Sequence, residues 1–227
     1  MDTRQVALMG RITAAATHEI KNILAIIKES SGLLQDIVHL GKSGGAPKAE
    51  QIEKVASRIQ AQVARGNEQL TSLNWLSHNV SDRGSSVEIN EMSSEIVKLM
   101  QRFARSKQVE LESQAADRDV TIQTDVAELL VVLVACIEYY LNRVPPKSRI
   151  LLRPGGTEEE ATLAIVAESM DGSGTVTEIE AGGGALPSEL ANLEPLLGPL
   201  GGRLVLADPG EGAELHLIIP SRADDDR

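Results

Sequence analysis

The sequence predicts an α+β chain: an antiparallel helical hairpin, followed by an α/β sandwich with helices on one face of a sheet. Three observations predict it. Apolar residues recur at helical spacing through two long stretches of residues 1–80. Beyond Ser81-Asp82-Arg83-Gly84-Ser85-Ser86 the pattern changes to short alternating runs interleaved with helical ones. Charge changes at the same place: residues 1–80 carry nine Lys/Arg and seven Asp/Glu, the remainder 13 and 26.

The first forty residues contain no proline, and glycine only at Gly10 and Gly32. Met9, Ile12, Ala16, Ile20, Ile23, Ile27, Leu34 and Ile37 form one stripe at spacings of three, four and seven. Gly41-Lys42-Ser43-Gly44-Gly45-Ala46-Pro47 breaks the helix through backbone freedom and a missing amide. A second stripe runs through Ile52, Val55, Ile59, Val63, Leu70, Leu73 and Leu76, softened at Gly66. So short a connection makes the two helices antiparallel neighbours. Two helices cannot enclose their own apolar faces, so the stripe predicts a homodimer in which two hairpins form a four-helix bundle. Packing of the hairpin on the rest of its own chain is the alternative.

After the linker 81–86, Val87–Ile89 reads as a strand and Met92–Ser106 as a helix. Val109–Glu112 and Val120–Gln123 alternate as strands. Ala127–Val144 is apolar throughout and stops before Pro145-Pro146, the pattern of a buried helix. Strands are expected at Arg149–Arg153 and Ala161–Ala167. A helix over Pro187–Leu200 is stopped by Gly201-Gly202, and strands follow at Arg203–Ala207 and Glu214–Ile219. The domains are then a hairpin over 1–80, a sandwich over 87–222 and a disordered tail over 223–227.

Composition removes several function classes. Aromatics are 2% of the 227 residues and the net charge is -11, which disfavours base stacking and phosphate-backbone tracking, so no nucleic-acid partner is expected. The single cysteine, Cys136, excludes an intramolecular disulfide and a multi-cysteine zinc site. His18, His39, His78 and His216 are scattered without ligand spacing, so no metal is expected. His39 and His78 read as surface or capping residues, and His216 as structural. No apolar run spans a bilayer and the N-terminus has no signal-peptide pattern, so a cytoplasmic protein without membrane insertion or a leading sensor segment is expected.

Thr17-His18-Glu19-Ile20-Lys21-Asn22-Ile23-Leu24 is the segment most suited to chemistry. His18 follows the core residue Ala16 by two positions, about 200° around a helix, and therefore points to solvent. Glu19 is its sequence neighbour, and Asn22 lies one turn on along the same face. A solvated imidazole is largely neutral at pH 7 and hence nucleophilic. A nearby carboxylate can orient the ring or take its proton, and an amide can position a water or a phosphoryl oxygen. The chemistry this suits is phosphoryl transfer through a phosphohistidine. A solvated helix face accounts for the same residues without chemistry.

Residues Met9–Ile27, MGRITAAATHEIKNILAII, resemble the H-box of two-component histidine kinases, close to HE[IL][KRN]NPL. The resemblance implies that His18 is the phosphoacceptor, Glu19 the acidic residue that assists transfer and Asn22 the residue associated with phosphatase activity. Ile23 replaces the usual proline. The order of elements after the linker is similar to that family's ATP-binding domain, but the nucleotide boxes depart from it. The family's N-box resembles NLLxNAxK; here Ala135 and Tyr139 stand at the asparagine positions and Asn142 at the lysine position, with Glu138 an acid nearby. Aligning the glycines of DxGxG on Met170-Asp171-Gly172-Ser173-Gly174 puts Met170 where the adenine-binding Asp belongs, and a thioether cannot replace that carboxylate. Gly182-Gly183-Gly184 is the one run that could imitate the phosphate loop. The closing LGG turn at Gly198–Gly202 and the PGxGxxF-like run from Pro209 are kept.

The resemblance therefore implies a histidine phosphotransferase with a degenerate ATPase-like domain and no cofactor of its own. Its partner is a response-regulator receiver domain, which carries the Mg²⁺. The expected docking face comprises Lys21, Asn22 and Ala25, with Asn67 and Asn74 on the second helix. Two alternatives stand beside it. One is an active histidine kinase that binds ATP and Mg²⁺ through Glu138, Asn142, Asp171 and the glycine run. The other is a non-catalytic dimeric scaffold that regulates a kinase or receiver.

Overall fold

The computed structural model describes residues 3–42, 49–81, 84–118, 120–169, 186–207 and 214–221. Helix α1 spans Thr3–Lys42 and helix α2 spans Ala49–Ser81. Neither contains a proline; Ile12, Ala16, Ile23 and Ile37 of the first stripe and Val55 and Leu76 of the second are buried, whereas Val63 and Leu70 are exposed. Ion pairs Glu19–Arg65 and Glu29–Arg58 mark the antiparallel register between them. Residues 43–48, most of the expected turn, lie outside the described residues, as do 82–83 of the linker and the tail 223–227.

The rear unit begins with strand β1 (Ser85–Glu88), so the expected linker is shortened by two strand residues. Helix α3 (Ile89–Ser106) starts three residues earlier than the apolar pattern implied. Strands β2 (Glu110–Ser113) and β3 (Thr121–Thr124) precede helix α4 (Val126–Leu141). The Asp125 carboxylate caps α4 by accepting from the Glu128 amide at 3.1 Å, which satisfies one of the free donors at the helix start. Strands β4 (Ser148–Gly156) and β5 (Glu160–Ser169) follow.

The helix expected over Pro187–Leu200 is broken into α5 (Ser188–Ala191), α6 (Glu194–Leu197) and a 3₁₀ turn at Gly198–Leu200. Pro195 and Pro199 lack the amides a continuous helix needs there, and their rings clash with the preceding turn. Strands β6 (Arg203–Leu206) and β7 (Leu215–Pro220) close the described chain. The turn into β6 depends on glycine twice. Gly201 has φ 63°. A Cβ on Gly202 would lie 2.5 Å from Ile219 Cδ1 and 3.0 Å from the Ile218 carbonyl.

The main sheet has the order β2-β4-β5-β7-β6. β2 runs parallel to β4, an arrangement that requires a crossover, and α4 supplies it. All other pairs are antiparallel, and β1 and β3 form a separate two-stranded ladder. Leu111, Ile150, Leu152, Leu163, Ile165, Leu215 and Leu217 point from the sheet into the core, where Ile96, Met100, Leu130, Leu133 and Ile137 of α3 and α4 meet them. The opposite face carries cross-strand ion pairs such as Arg153–Glu168 and Arg203–Glu160. His216 belongs to this face, 3.4 Å from Glu214.

The hairpin does not stand apart from this core. Leu8 and Ile12 of α1, with Trp75 and Leu76 of α2, are buried in the same cluster as the α3 and α4 side chains. The base of the hairpin thus packs on its own chain. Farther out it exposes Leu24, Leu33, Val38, Leu40, Val63 and Leu70.

Candidate functional site

His18 lies in the middle of α1, exposed, with no hydrogen bond to either ring nitrogen among the described residues. It lines an open, mainly apolar hollow of about 700 Å³ that runs along α1 from Val6 past Gly10, Thr13, Ala14 and Thr17 to Lys21. Gly10 and Ala14 keep this face low, so a partner's atoms can approach the ring from the side. Lys21, Asn22 and Ala25 are exposed on the following turns. Asn67 and Asn74 are exposed on α2. The Glu19–Arg65 pair puts Asn67 level with His18, whereas Asn74 lies about two turns nearer the rear unit.

Glu19 behaves differently from the expectation that it attends the imidazole. Adjacent residues on a helix diverge by about 100°, and this step carries Glu19 away from the His18 face. Its Oε1 accepts from Arg65 of α2 at 2.5 Å and from Arg105 of α3 at 3.2 Å. The side chain is only 16% exposed, so the carboxylate sits in the cleft between the hairpin and the rear unit. Neither arginine was apparent as a site residue from the sequence. Antiparallel register could have indicated Arg65; nothing local indicates Arg105, 86 residues from its partner.

Glu138 and Tyr139 of α4, which the sequence comparison set at or beside the N-box positions, are engaged by the chain's own arginines. Arg11 of α1 bonds to Glu138, and its guanidinium also lies 5.9 Å from the centre of the Phe103 ring. Arg143 stacks 3.8 Å above the Tyr139 ring and donates to Glu189 of α5 at 2.6 Å. Arg143 and Ser188, together with Glu189's own amide, hold the Glu189 carboxyl below the usual range, the amide being the largest influence. Burial raises the Tyr139 hydroxyl, and raises the buried Cys136 thiol to about 12, so neither supplies an anion near pH 7. Asn142 ends α4 as its exposed C-terminal cap. Met170–Gly174 and Gly182–Gly184 lie outside the described residues. Among the described residues no cluster of His, Cys, Asp and Glu could hold a metal ion, and no helix is long and apolar enough to cross a membrane.

Solved structures share this fold. The catalytic domain of the histidine kinase ThkA, in a nucleotide-free form, superposes with a TM-score of 0.50 at 12% identity, covering 63% of this chain and 100% of that one. ThkA in complex with the response regulator protein TrrA gives a TM-score of 0.50 at 14% identity, over 99% of this chain and 66% of that one. A histidine kinase from Burkholderia phymatum STM815 gives 0.49 at 10% identity, over 95% and 98%. No protein family model and no curated protein matches the chain. The fold is histidine-kinase-like: an N-terminal helical hairpin followed by a mixed sheet domain resembling the ATP-binding domains of those kinases.

Proposed function

We propose that the chain is a histidine phosphotransferase of a two-component phosphorelay, carrying a phosphoryl group on His18 between the aspartates of response-regulator receivers. One observation carries the reading. The imidazole of His18 is open to a partner, while Glu138 and Tyr139 of α4, at or beside the N-box positions, are engaged by Arg11 and Arg143.

In this mechanism the unprotonated ring nitrogen attacks phosphorus in line, the N–P bond forms, and the P–O bond to the receiver aspartate breaks. Aspartate leaves as a carboxylate and needs no proton. The receiver supplies Mg²⁺ and a lysine that neutralise the moving charge, so this chain requires no cofactor. Because phosphohistidine and acyl phosphate are both high-energy species, transfer runs in either direction. The exposed Lys21, Asn22 and Ala25 on the turns after His18, with Asn67 level with it on α2, form the docking face, and Asn74 lies at its margin toward the rear unit. A second copy covers the exposed Leu24, Val63 and Leu70, completing a four-helix bundle.

The histidine-kinase-like fold favours one competing reading, an autokinase with a divergent nucleotide site. A single experiment separates the two: wild type and His18→Ala are incubated with radiolabelled ATP and Mg²⁺, and separately with a phosphorylated receiver. A phosphotransferase takes label from the receiver only, and His18→Ala takes none. Label acquired from ATP by the wild type and lost in His18→Ala establishes the kinase. No label on the wild type from either donor refutes both and leaves the scaffold.

A further inference from the structure

The carboxylate next to His18 is committed elsewhere. Glu19 Oε1 receives two guanidiniums, one from the hairpin (Arg65, 2.5 Å) and one from the rear unit (Arg105, 3.2 Å). Among the described residues it makes no bond to His18. Its partners are 40% and 56% exposed at the side chain, whereas Glu19 is 16% exposed, so the acid is the enclosed member of the group. Its acceptor oxygen is taken by two guanidinium donors on the side of α1 turned away from the ring. The transfer step also gives it no task as a base. The nitrogen that attacks carries no proton, the leaving group is a carboxylate, and the proton on the other ring nitrogen stays there or passes to water at the exposed face.

We propose that Glu19 is a positioning residue rather than the proton acceptor of His18: through Arg105 it ties α3 of the rear unit to α1, one residue from the phosphorylated ring, and Arg65 holds the carboxylate in place for that contact. The functional part of this inference rests on the phosphotransferase reading; the structural part does not. Arg11, two turns before His18, bonds to Glu138 of α4 and adds a second contact between α1 and the rear unit. The rear unit is thereby held at a fixed place beside the incoming receiver. A change at residue 19 then acts on His18 by loosening this seat.

The test is a double-mutant cycle with Glu19→Gln and Arg105→Gln in the full chain, read in two ways. The first is amide hydrogen exchange over Phe103–Ser106, which requires no activity. The second is the rate of transfer from a phosphorylated receiver as a function of pH. Each single variant is expected to speed exchange by about two- to fivefold, the range for one partly exposed ion pair, with the double variant no faster than either single. Transfer should fall by a similar factor in all three variants, with the shape of the pH profile unchanged. Unchanged exchange in both single variants refutes the tie. A loss of transfer of about a hundredfold or more in Glu19→Gln, with an altered pH profile and a silent Arg105→Gln, refutes the positioning role and makes Glu19 the base. If wild type accepts no phosphoryl group, the exchange cycle still decides whether the tie exists, while the phosphotransferase reading fails separately.

Discussion

Replacing Ile12 by alanine tests whether the hairpin and the rear unit form one cooperative structure. Ile12 is 1% exposed and belongs to a core that continues into Met92, Ile96, Met100 and Leu130. The substitution removes three carbons, worth about 0.8 kcal/mol each in lost burial, or roughly 2.4 kcal/mol together. The vacated space adds a cavity term, since α1 is held on either side by Leu8 and Ala16 and cannot collapse fully; the expected total is about 3–4 kcal/mol. Urea unfolding at a fixed protomer concentration measures it, because any dimer makes apparent stability depend on concentration. Two probes are available: far-ultraviolet circular dichroism for all helices, and the fluorescence of Trp75, the single tryptophan, which is buried at the junction of the two units. Both should report one transition, shifted to lower urea by about 1–2 M with the slope unchanged. A cost below about 1 kcal/mol would refute the packing argument. So would two separate transitions of which only the hairpin's moves, because the junction would then contribute nothing to the folding of the rear unit.

Two further outcomes are expected. Leu70 is half exposed on α2 beside the equally exposed Val63, and Leu70→Glu should convert a sedimenting dimer to a monomer with little loss of helicity; a wild type that sediments as a monomer refutes the bundle. Alkali should destabilise the fold. Burial raises the Cys136 thiol from 9.0 to about 12 and raises the Tyr140 hydroxyl too, so above pH 9 the unfolded chain releases protons that the folded chain retains. Stability that is fully present below pH 9 is therefore lost as pH rises toward 12, by about 1.4 kcal/mol per pH unit for the thiol alone. Urea titrations at pH 8, 9 and 10.5 measure the slope; a flat profile above pH 9 shows that the thiol is not shielded from water.

Much of this protein is determined over short stretches of chain. The proline-free stripes of α1 and α2 specify two long helices because each side chain's face follows from 3.6-residue geometry, and the same arithmetic turns His18 outward from Ala16. Apolar alternation placed β4, β5, β6 and β7 within a few residues, since a strand with one buried face must alternate. The single helix expected over Pro187–Leu200 is instead broken at Pro195, since a proline inside a helix removes a hydrogen bond. Other features were not decided locally. The parallel pairing of β2 with β4 depends on how α4 crosses the sheet, and the burial of Leu8 and Ile12 depends on a rear unit that begins more than seventy residues later. The environment of His18 belongs to this second group. Sequence adjacency set Glu19 beside His18, but helix geometry turned the two apart, and packing brought Arg105 of α3 to the carboxylate. A local pattern fixes which way a side chain points; which charge it meets is decided only when distant elements share a core.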